Sequence, residues 1–218
     1  MHLSTYTRPD ITYAVHKLCQ YNTNPSIHHM CAVKHLLRYL KGTSHYSFTY
    51  RHYSNKRPSF VYGYSDASGA SDLDDRKSTS GYVFIYNGAP ISWTSRKQRP
   101  VALSTMESEY IALAEAAKEA AFLRKLIITF GNDPAPRIHI RTDSDSALKY
   151  VKNNVNHPWS KHIDTRHHYV REAYHNSIID ITFISSELQK ADILTKPLGT
   201  NKHEQAIKML MLRDRRSN

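Results

Sequence analysis

The stretch YVFIYNGAPISW, Tyr82 to Trp93, constrains the fold more than any other part of the chain. Apolar residues alternate on both sides of Asn87-Gly88, and an Asn-Gly pair between alternating runs is the strongest short-range signal for a tight hairpin. An earlier alternating run, FVYGYSD from Phe60 to Asp66, stops on a carboxylate. Together the runs predict an antiparallel meander with strands at 60–66, 81–86 and 90–95, the last centred on Ile91 and Trp93. Asp66 is thereby delivered to a strand end, where a rigid backbone fixes its oxygens. Asp72, Asp74 and Asp75 follow in a turn-rich stretch and read as turn formers.

One strand-end acid means little without partners, and the chain offers several. A helix is predicted from Thr105 to Phe130, closed by Gly131. Ser104-Thr105-Met106-Glu107 is a capping box, so Glu107 is expected to turn back to the cap's backbone N–H. Glu109 instead shares a helical stripe with Ala112, Leu113, Ala116, Ala120 and Ile127, which puts its carboxylate at the top of the inward face. An acid this near the helix start is also favoured by the helix dipole. Glu115 and Glu119, with Lys118, read as a solvated flank. Arg137 to Asp143, RIHIRTD, is a second strand that ends on a carboxylate. A crossover helix between it and the meander lets it lie parallel to the first strand, so that both end acids meet at one edge.

The remaining elements follow the same logic. Ser144 or Asp145 caps a short helix through Tyr150 and Val151. Lys161 to His175 is a helix with Ile163, His167, Val170 and Tyr174 on one face, and Ile178 to Ser185 is the last strand. Glu187 to Thr195 reads as a helix stopped by Pro197, with Asp192 in its first turns. A short helix from Glu204 to Leu212 leads into Arg213, Arg215 and Arg216. At the other end, Ile11, Ala14, Val15, Leu18 and Cys19 recur at helical spacing after Pro9. Met30, Val33, Leu36, Leu37 and Leu40 form a second stripe, opened by a Ser26 cap and closed at Gly42. Two helices this short cannot bury both stripes against each other, so they are expected to belong to a larger structure. Tyr46, Phe48 and Tyr50 then alternate as a strand.

A chain of 218 residues has room for one sizeable core and an appendage. Its net charge of +11, with fourteen histidines counted neutral, points to a polyanionic partner and first to nucleic acid. Cys19 and Cys31 read as reduced thiols in an intracellular setting. Neither a signal-peptide core nor an apolar run of membrane-spanning length is present, so secretion and membrane insertion are not expected.

The order of acids (strand end, helix start, second strand end, late segment) resembles the type 1 ribonuclease H fold. Five segments sharpen the resemblance to the copia-type retrotransposon branch of that family: YSDASGASDLDDRKSTSGYVF, GAPISWTSRKQRPVALSTMESEYIAL, TDSDSA, KHIDTRHHYVRE and LQKADILTKPL. TRPDITYAV and AVKHLLRYLKGT look like the closing part of the reverse transcriptase that precedes the nuclease in copia-type Pol polyproteins. The resemblance implies a ribonuclease H-like α/β fold, a mixed five-stranded sheet with flanking helices, preceded by a helical hairpin. It implies residues 1–58 as the end of a reverse transcriptase, 59–200 as the nuclease, and 201–218 as a short helix and basic tail. The stretch looks like the C-terminal end of such a polyprotein, beginning at an internal methionine.

Carried over residue by residue, Asp66 and Asp143 match the strand-end acids and Asp192 the acid of the A-D-I-L-T-K motif. Glu109 fits the family's E-x-x-A pattern, with Glu107 as the alternative. The implied activity is hydrolysis of the RNA strand of RNA–DNA hybrids by two Mg2+ ions, or Mn2+, held by Asp66, Glu109, Asp143 and Asp192. Ser104 occupies a position where relatives contact the minor groove, and Arg96, Lys97 and Arg99 are candidate phosphate contacts. The implied partners are the hybrid and the polymerase part of the same polyprotein. The implied setting is a cytoplasmic virus-like particle, with the nucleus as a second compartment.

Two departures stand against this reading. Relatives commonly read D-A-D-W where this chain has Asp66-Ala67-Ser68-Gly69, and no histidine lies in the Ser185-Ser186-Glu187 loop, where many ribonucleases H carry one. His162 is separated from that loop by a helix and a strand. An inactive retroelement remnant that folds and binds nucleic acid is therefore the alternative to an active nuclease. A zinc site from His28, His29, Cys31 and His35 is disfavoured, since all four lie on one helix without a C-x-x-C partner.

Overall fold

The computed structural model describes residues 1–50, 61–130, 136–152, 161–210 and 212–214, with the backbone alone described at 161–167 and 213–214. Phe60, Gly131 and the side chains of His162, Ile163 and His167 lie outside what is described.

The chain opens with α1 (His2–Tyr6), a 3-10 turn at Pro9–Ile11, α2 (Thr12–Cys19) and α3 (Ile27–Gly42). Ser26 caps α3 as expected: its hydroxyl accepts the His29 N–H at 3.4 Å while His29 Nδ1 accepts the Ser26 N–H at 3.0 Å. Arg8 makes a two-pronged bond to Asp10 at 2.9 and 2.7 Å and reaches the Thr43 hydroxyl at 2.7 Å. Tyr39 donates to the same Asp10 at 2.6 Å, so the end of α3 is tied to the Pro9 turn. None of the α3 side chains is fully buried, and Ile27, Met30 and Leu37 stay exposed.

Next come β1 (Tyr46–Ser47), β2 (Tyr62–Ser68), β3 (Thr79–Tyr86), β4 (Ala89–Lys97) and α4 (Thr105–Thr129). They are followed by β5 (Ile138–Thr142), α5 (Asp145–Lys152), α6 (Lys161–His175), β6 (Ile179–Phe183), α7 (Thr200–Met209) and β7 (Arg213–Asp214). The main sheet has five strands in the order β4-β3-β2-β5-β6. The β2–β3 and β3–β4 pairs are antiparallel, and β5 runs parallel to both β2 and β6. This is the mixed sheet with flanking helices of the ribonuclease H-like fold.

The hairpin forms at Asn87-Gly88, both with positive φ (49° and 87°), as a right-twisted two-residue connection requires. One detail differs from the simple alternation. The register slips between Phe84 and Ile85, so Ile85 faces Pro90 and Phe84 faces Ser92. Ile91 is the extra residue of this bulge and is 36% exposed, while Trp93 faces inward. Pro90, which has no N–H to give a ladder, sits where the ladder is already interrupted.

Alternation along the strands divides the core into two layers. Val61, Phe84, Ile138, Ile140, Ile179 and Ile181 face α4, α5 and α6. On the opposite face Tyr64, Val83 and Ile85 meet Ala191, Ile193 and Leu194 and then Ala206, Ile207 and Leu210 of and after α7. Five alanines of α4 (Ala112, Ala114, Ala116, Ala117, Ala120) are at most 1% exposed. Such small residues let the helix backbone lie close to the sheet. Glu119, expected on a solvated flank, instead accepts from Ser92 Oγ at 2.6 Å and Tyr82 Oη at 3.4 Å, which pins α4 to β3 and β4.

The second layer also receives the N-terminal segment. Trp93 Nε1 donates to the Ser4 carbonyl at 2.7 Å, Phe48 lies edge-on to Trp93, and β1 pairs with β7 in a small sheet of its own. Asp72, 4% exposed, is the main polar anchor. It receives Lys17 of α2 at 2.6 Å and Lys97 at 2.8 Å, and also accepts the Asp74 N–H at 3.0 Å as a turn former does. Burial alone would raise its pKa, but these donors outweigh it and hold the carboxylate well below its ordinary range.

A depressed folded-state pKa stabilises above the unfolded value and loses that contribution as pH falls. Asp72→Asn is therefore expected to lower stability by about 1–2 kcal/mol at pH 7. The difference from the unsubstituted chain should shrink as pH falls below about 4, measured by urea unfolding across a pH series.

Candidate active site

Two strand ends and one helix build the site. The parallel register sets Tyr64 beside Arg141, and carried two residues further it sets Asp66 beside Asp143, just past the end of β5. Glu109 comes down from the second turn of α4. One carboxylate oxygen from each of Asp66, Glu109 and Asp143 lies within 4.8 Å of the others. Among the described residues no other set of three or more metal-ligating side chains comes so close.

Each acid is held differently. Asp66 is 2% exposed, and its Oδ2 accepts from the Thr195 hydroxyl and lies 3.9 Å from Lys196 Nζ. Asp143 accepts from Ser186 Oγ at 2.7 Å and from Gln189 Nε2 at 3.3 Å. The same Gln189 nitrogen donates to the Ser65 carbonyl at 2.9 Å, so one buried amide ties the loop after β6 to both acid-bearing strands. Glu109 has one oxygen, Oε2, that is buried with no hydrogen-bond partner.

Crowding of this kind has a clear electrostatic signature. Burial raises the Asp66 pKa, with Asp192 and Asp143 pushing it further and Lys196 and Thr195 opposing. Burial also raises that of Glu109, reinforced by the charges of Asp66 and Asp143. A buried carboxylate oxygen without a donor and three acids in mutual repulsion fit a hard divalent cation, which takes oxygen ligands.

Asp192 stands beside this group. It does not sit on a helix as expected: the segment forms 3-10 turns at Ser186–Leu188 and Asp192–Leu194. The reason is close contact with the sheet. Gly81 is the register partner of Asp66, and a Cβ there would lie 2.6 Å from Thr195 Cγ2 and 2.9 Å from Leu194 Cβ. The chain packs so tightly at Gly81 that its tight turns track the sheet surface. Lys196 then reaches back to Asp192 Oδ1 at 2.8 Å.

Glu107 takes no part in the cluster. Its Oε2 accepts a backbone N–H at 2.7 Å, but from Leu103, one residue before the cap, while Ser104 Oγ accepts the Glu107 N–H at 3.1 Å. Ser104 is exposed at the start of α4. Arg96 and Arg99 are exposed and line a groove of about 330 Å³ with Tyr82, Gln98 and Lys118. Lys97 borders that groove too, yet its ammonium is bound to Asp72 and Asp75 at 2.8 and 2.9 Å. Ser68 closes the end of the β2–β3 pair, accepting the Thr79 N–H at 3.0 Å and bonding Ser71 Oγ at 2.6 Å. Gly69 lets Thr105 approach, since a Cβ there would lie 3.3 Å from Thr105 Cγ2. His29 serves the α3 cap.

Gln189, Ser186, Thr195 and Lys196 were not singled out in the sequence. All lie in the segment SSELQKADILTKPL around Asp192. The signal was the density of polar side chains around Asp192 in a segment otherwise apolar enough to be core.

No family model matches the chain. It is 39% identical over 94% of its length to the retrovirus-related Pol polyprotein of transposon TNT 1-94 from Nicotiana tabacum, of which it spans 15%. The chain belongs to the copia-type retrotransposon Pol polyproteins. This Pol segment is also 46% identical, over 56% of its length, to secreted RxLR effector protein 161 of Plasmopara viticola, covering 84% of that protein. Among solved structures it is similar to LC11 ribonuclease H1 in complex with an RNA/DNA hybrid, with a TM-score of 0.46 and 16% identity over 62% of this chain and 93% of that one.

Two outcomes test how this Pol segment holds its acids. Gly81→Ala is expected to destabilise it by about 1–3 kcal/mol through overpacking, and to weaken divalent-cation binding by displacing Thr195 from Asp66, read by urea unfolding and calorimetry. A raised folded-state carboxylate pKa contributes stability below the unfolded value and loses it as pH rises. Asp66→Asn is therefore expected to stabilise the metal-free protein by about 1–2 kcal/mol near neutral pH. The gain should vanish near pH 4, followed by thermal unfolding with a chelator present.

Proposed function

We propose that this chain is the ribonuclease H portion of a retrotransposon Pol polyprotein and hydrolyses the RNA strand of RNA–DNA hybrids during reverse transcription. The observation that carries the reading is the group of Asp66, Glu109 and Asp143 within 4.8 Å, with one Glu109 oxygen buried and unpartnered. Mg2+ at Asp66, Glu109 and Asp143, and a second ion at Asp66 and Asp192, would supply the charge that activates a water and steadies the leaving oxygen, with Mn2+ as a substitute.

The chain's own side chains do the positioning. Ser186 and Gln189 fix Asp143, and Thr195 fixes Asp66. Ser104 Oγ accepts the Glu107 N–H, which leaves its own hydrogen to donate into a minor groove. Arg96 and Arg99, with Lys118, offer phosphate contacts along the groove beside α4, and Lys97 contributes little free charge there. Selection of a hybrid would rest on groove shape and 2′-hydroxyls rather than base sequence. The net charge of +11 suits that partner.

We assign residues 1–58 to the end of the reverse transcriptase, 59–200 to the nuclease and 201–218 to a closing helix and basic tail. The exposed Ile27, Met30 and Leu37 of α3 suit a contact with the preceding polymerase. We place the protein in a cytoplasmic virus-like particle, with the nucleus as a second compartment. No helix among the described residues is long and apolar enough to cross a membrane.

The test is incubation of the purified chain with an end-labelled RNA–DNA hybrid and Mg2+. Cleavage is expected, with Glu109→Gln losing at least about 100-fold, the scale of a lost transition-state contact. Glu107→Gln is expected to keep most of the activity and to lower stability by about 1 kcal/mol through the weakened cap. Binding of the hybrid without cleavage, or equal cleavage by Glu109→Gln, would sink this reading in favour of an inactive remnant.

A further inference from the structure

The acids of the site are neutralised unevenly. Asp143 meets two neutral donors and Glu109 Oε2 meets none, whereas Asp66 and Asp192 share an ammonium. Among the described residues Lys196 is the cation that lies within 4.0 Å of these two carboxylates, at 2.8 Å from Asp192 Oδ1 and 3.9 Å from Asp66 Oδ2. We propose that Lys196 is a built-in tenant of the second cation position: it holds Asp66 and Asp192 together before metal binds, and it withdraws when a divalent ion takes its place. The inference rests on the metal-site part of the reading above and not on the substrate.

Three features of the side chain suit that part. It lies four residues after Asp192, and the Lys196 N–H bonds back to the Asp192 carbonyl at 3.2 Å, so the tight turn aims the stem at the acids. The lysine is 39% exposed while the two carboxylates are 21% and 3% exposed, so the cation has a solvent path that the acids lack. Lys196 also lines a cavity of about 800 Å³ whose wall includes Glu204. A flexible four-carbon stem with a point charge can make such an exchange, where a rigid guanidinium fork could not.

The exchange has a direction. A divalent ion between two carboxylates gains twice the Coulomb attraction of an ammonium at equal distance, and its oxygen ligands sit closer than a hydrogen-bonded nitrogen. Magnesium surrenders its waters reluctantly and is often held partly by substrate phosphates. The tenant therefore keeps the second position assembled but closed to weakly held ions. Lys196 is a positioning residue in this account: it acts through Asp66 and Asp192.

Two measurements on the full chain test this without any cleaved substrate. The first is amine labelling of Lys196 by a limiting anhydride, read by peptide mass spectrometry. Saturating Mg2+ should raise its labelling rate about 5-fold or more as the ion pair opens. Asp192→Asn should label fast without metal and gain nothing from it. The second is calorimetric titration of Lys196→Met with Mg2+, where the second binding step should tighten about 10-fold, equal to ~1.4 kcal/mol, for removal of one competing charge. A labelling rate unchanged by Mg2+, or a Lys196→Met titration that matches the unsubstituted chain, would overturn the proposal. A chain that cuts no hybrid but releases Lys196 on adding Mg2+ would keep it while refuting the ribonuclease.

Discussion

Like charges that must sit close together set the problem this structure answers. Carboxylates within 4.8 Å in a buried setting repel one another and lose hydration, and no arrangement of loops would hold them there. The fold answers with rigidity. Asp66 and Asp143 lie on adjacent parallel strands whose register is fixed by two-sided burial, and Glu109 stands on a helix anchored at both ends of its contact. Ser104 and Glu107 lock the start of that helix, and Glu119 clamps it further along to Ser92 and Tyr82. Once the backbone cannot relax, the repulsion can only appear as raised carboxylate pKa values or be relieved by a cation.

The same constraint explains why the sheet is mixed. An all-antiparallel continuation would have sent the strand after the meander in the wrong direction, with its C-terminal acid at the far edge. α4 crosses the face of the sheet and returns the chain for a parallel β5. The crossing brings Glu109 to the strand ends that carry the other two acids. One topological choice therefore gathers three carboxylates, and the long helix serves both as connection and as carrier of one of them.

Much of this was legible from the residues. The Asn87-Gly88 hairpin, the strand-end acids and the Glu109 stripe follow from local periodicity, which is a property of a few neighbouring residues. The capping box predicts that Glu107 turns back to the helix start, and it does, although its carboxylate closes on Leu103 rather than Ser104. What periodicity could not show is contact between distant elements. The bulge that exposes Ile91 depends on Pro90 meeting the β3 ladder, and the capture of Glu119 depends on Ser92 across the interface. Asp72 was readable as a turn former, but its partner Lys17 is fifty-five residues away. The same distance hid how firmly the N-terminal helices dock on the five-stranded sheet.

The segment from Ser186 to Lys196 shows most clearly where local reading fails. Its composition favours a helix, and helix propensity amounts to only some tenths of a kcal/mol per residue. Against that stand the burial of Ala191, Ile193 and Leu194 on the sheet and the buried amide of Gln189 bridging Ser65 and Asp143. Those contacts are worth several times the propensity difference, at about 1.5–3 kcal/mol for each large apolar side chain buried. They are available only if the chain stays within reach of Gly81, where the absent Cβ leaves room for Thr195. A regular helix would carry Thr195 and Lys196 away from Asp66. The 3-10 turns keep a hydroxyl on the buried acid and an ammonium between it and Asp192. Tertiary packing thus overrides local preference at the one place where the chain brings Thr195, Asp192 and Lys196 up to the buried Asp66.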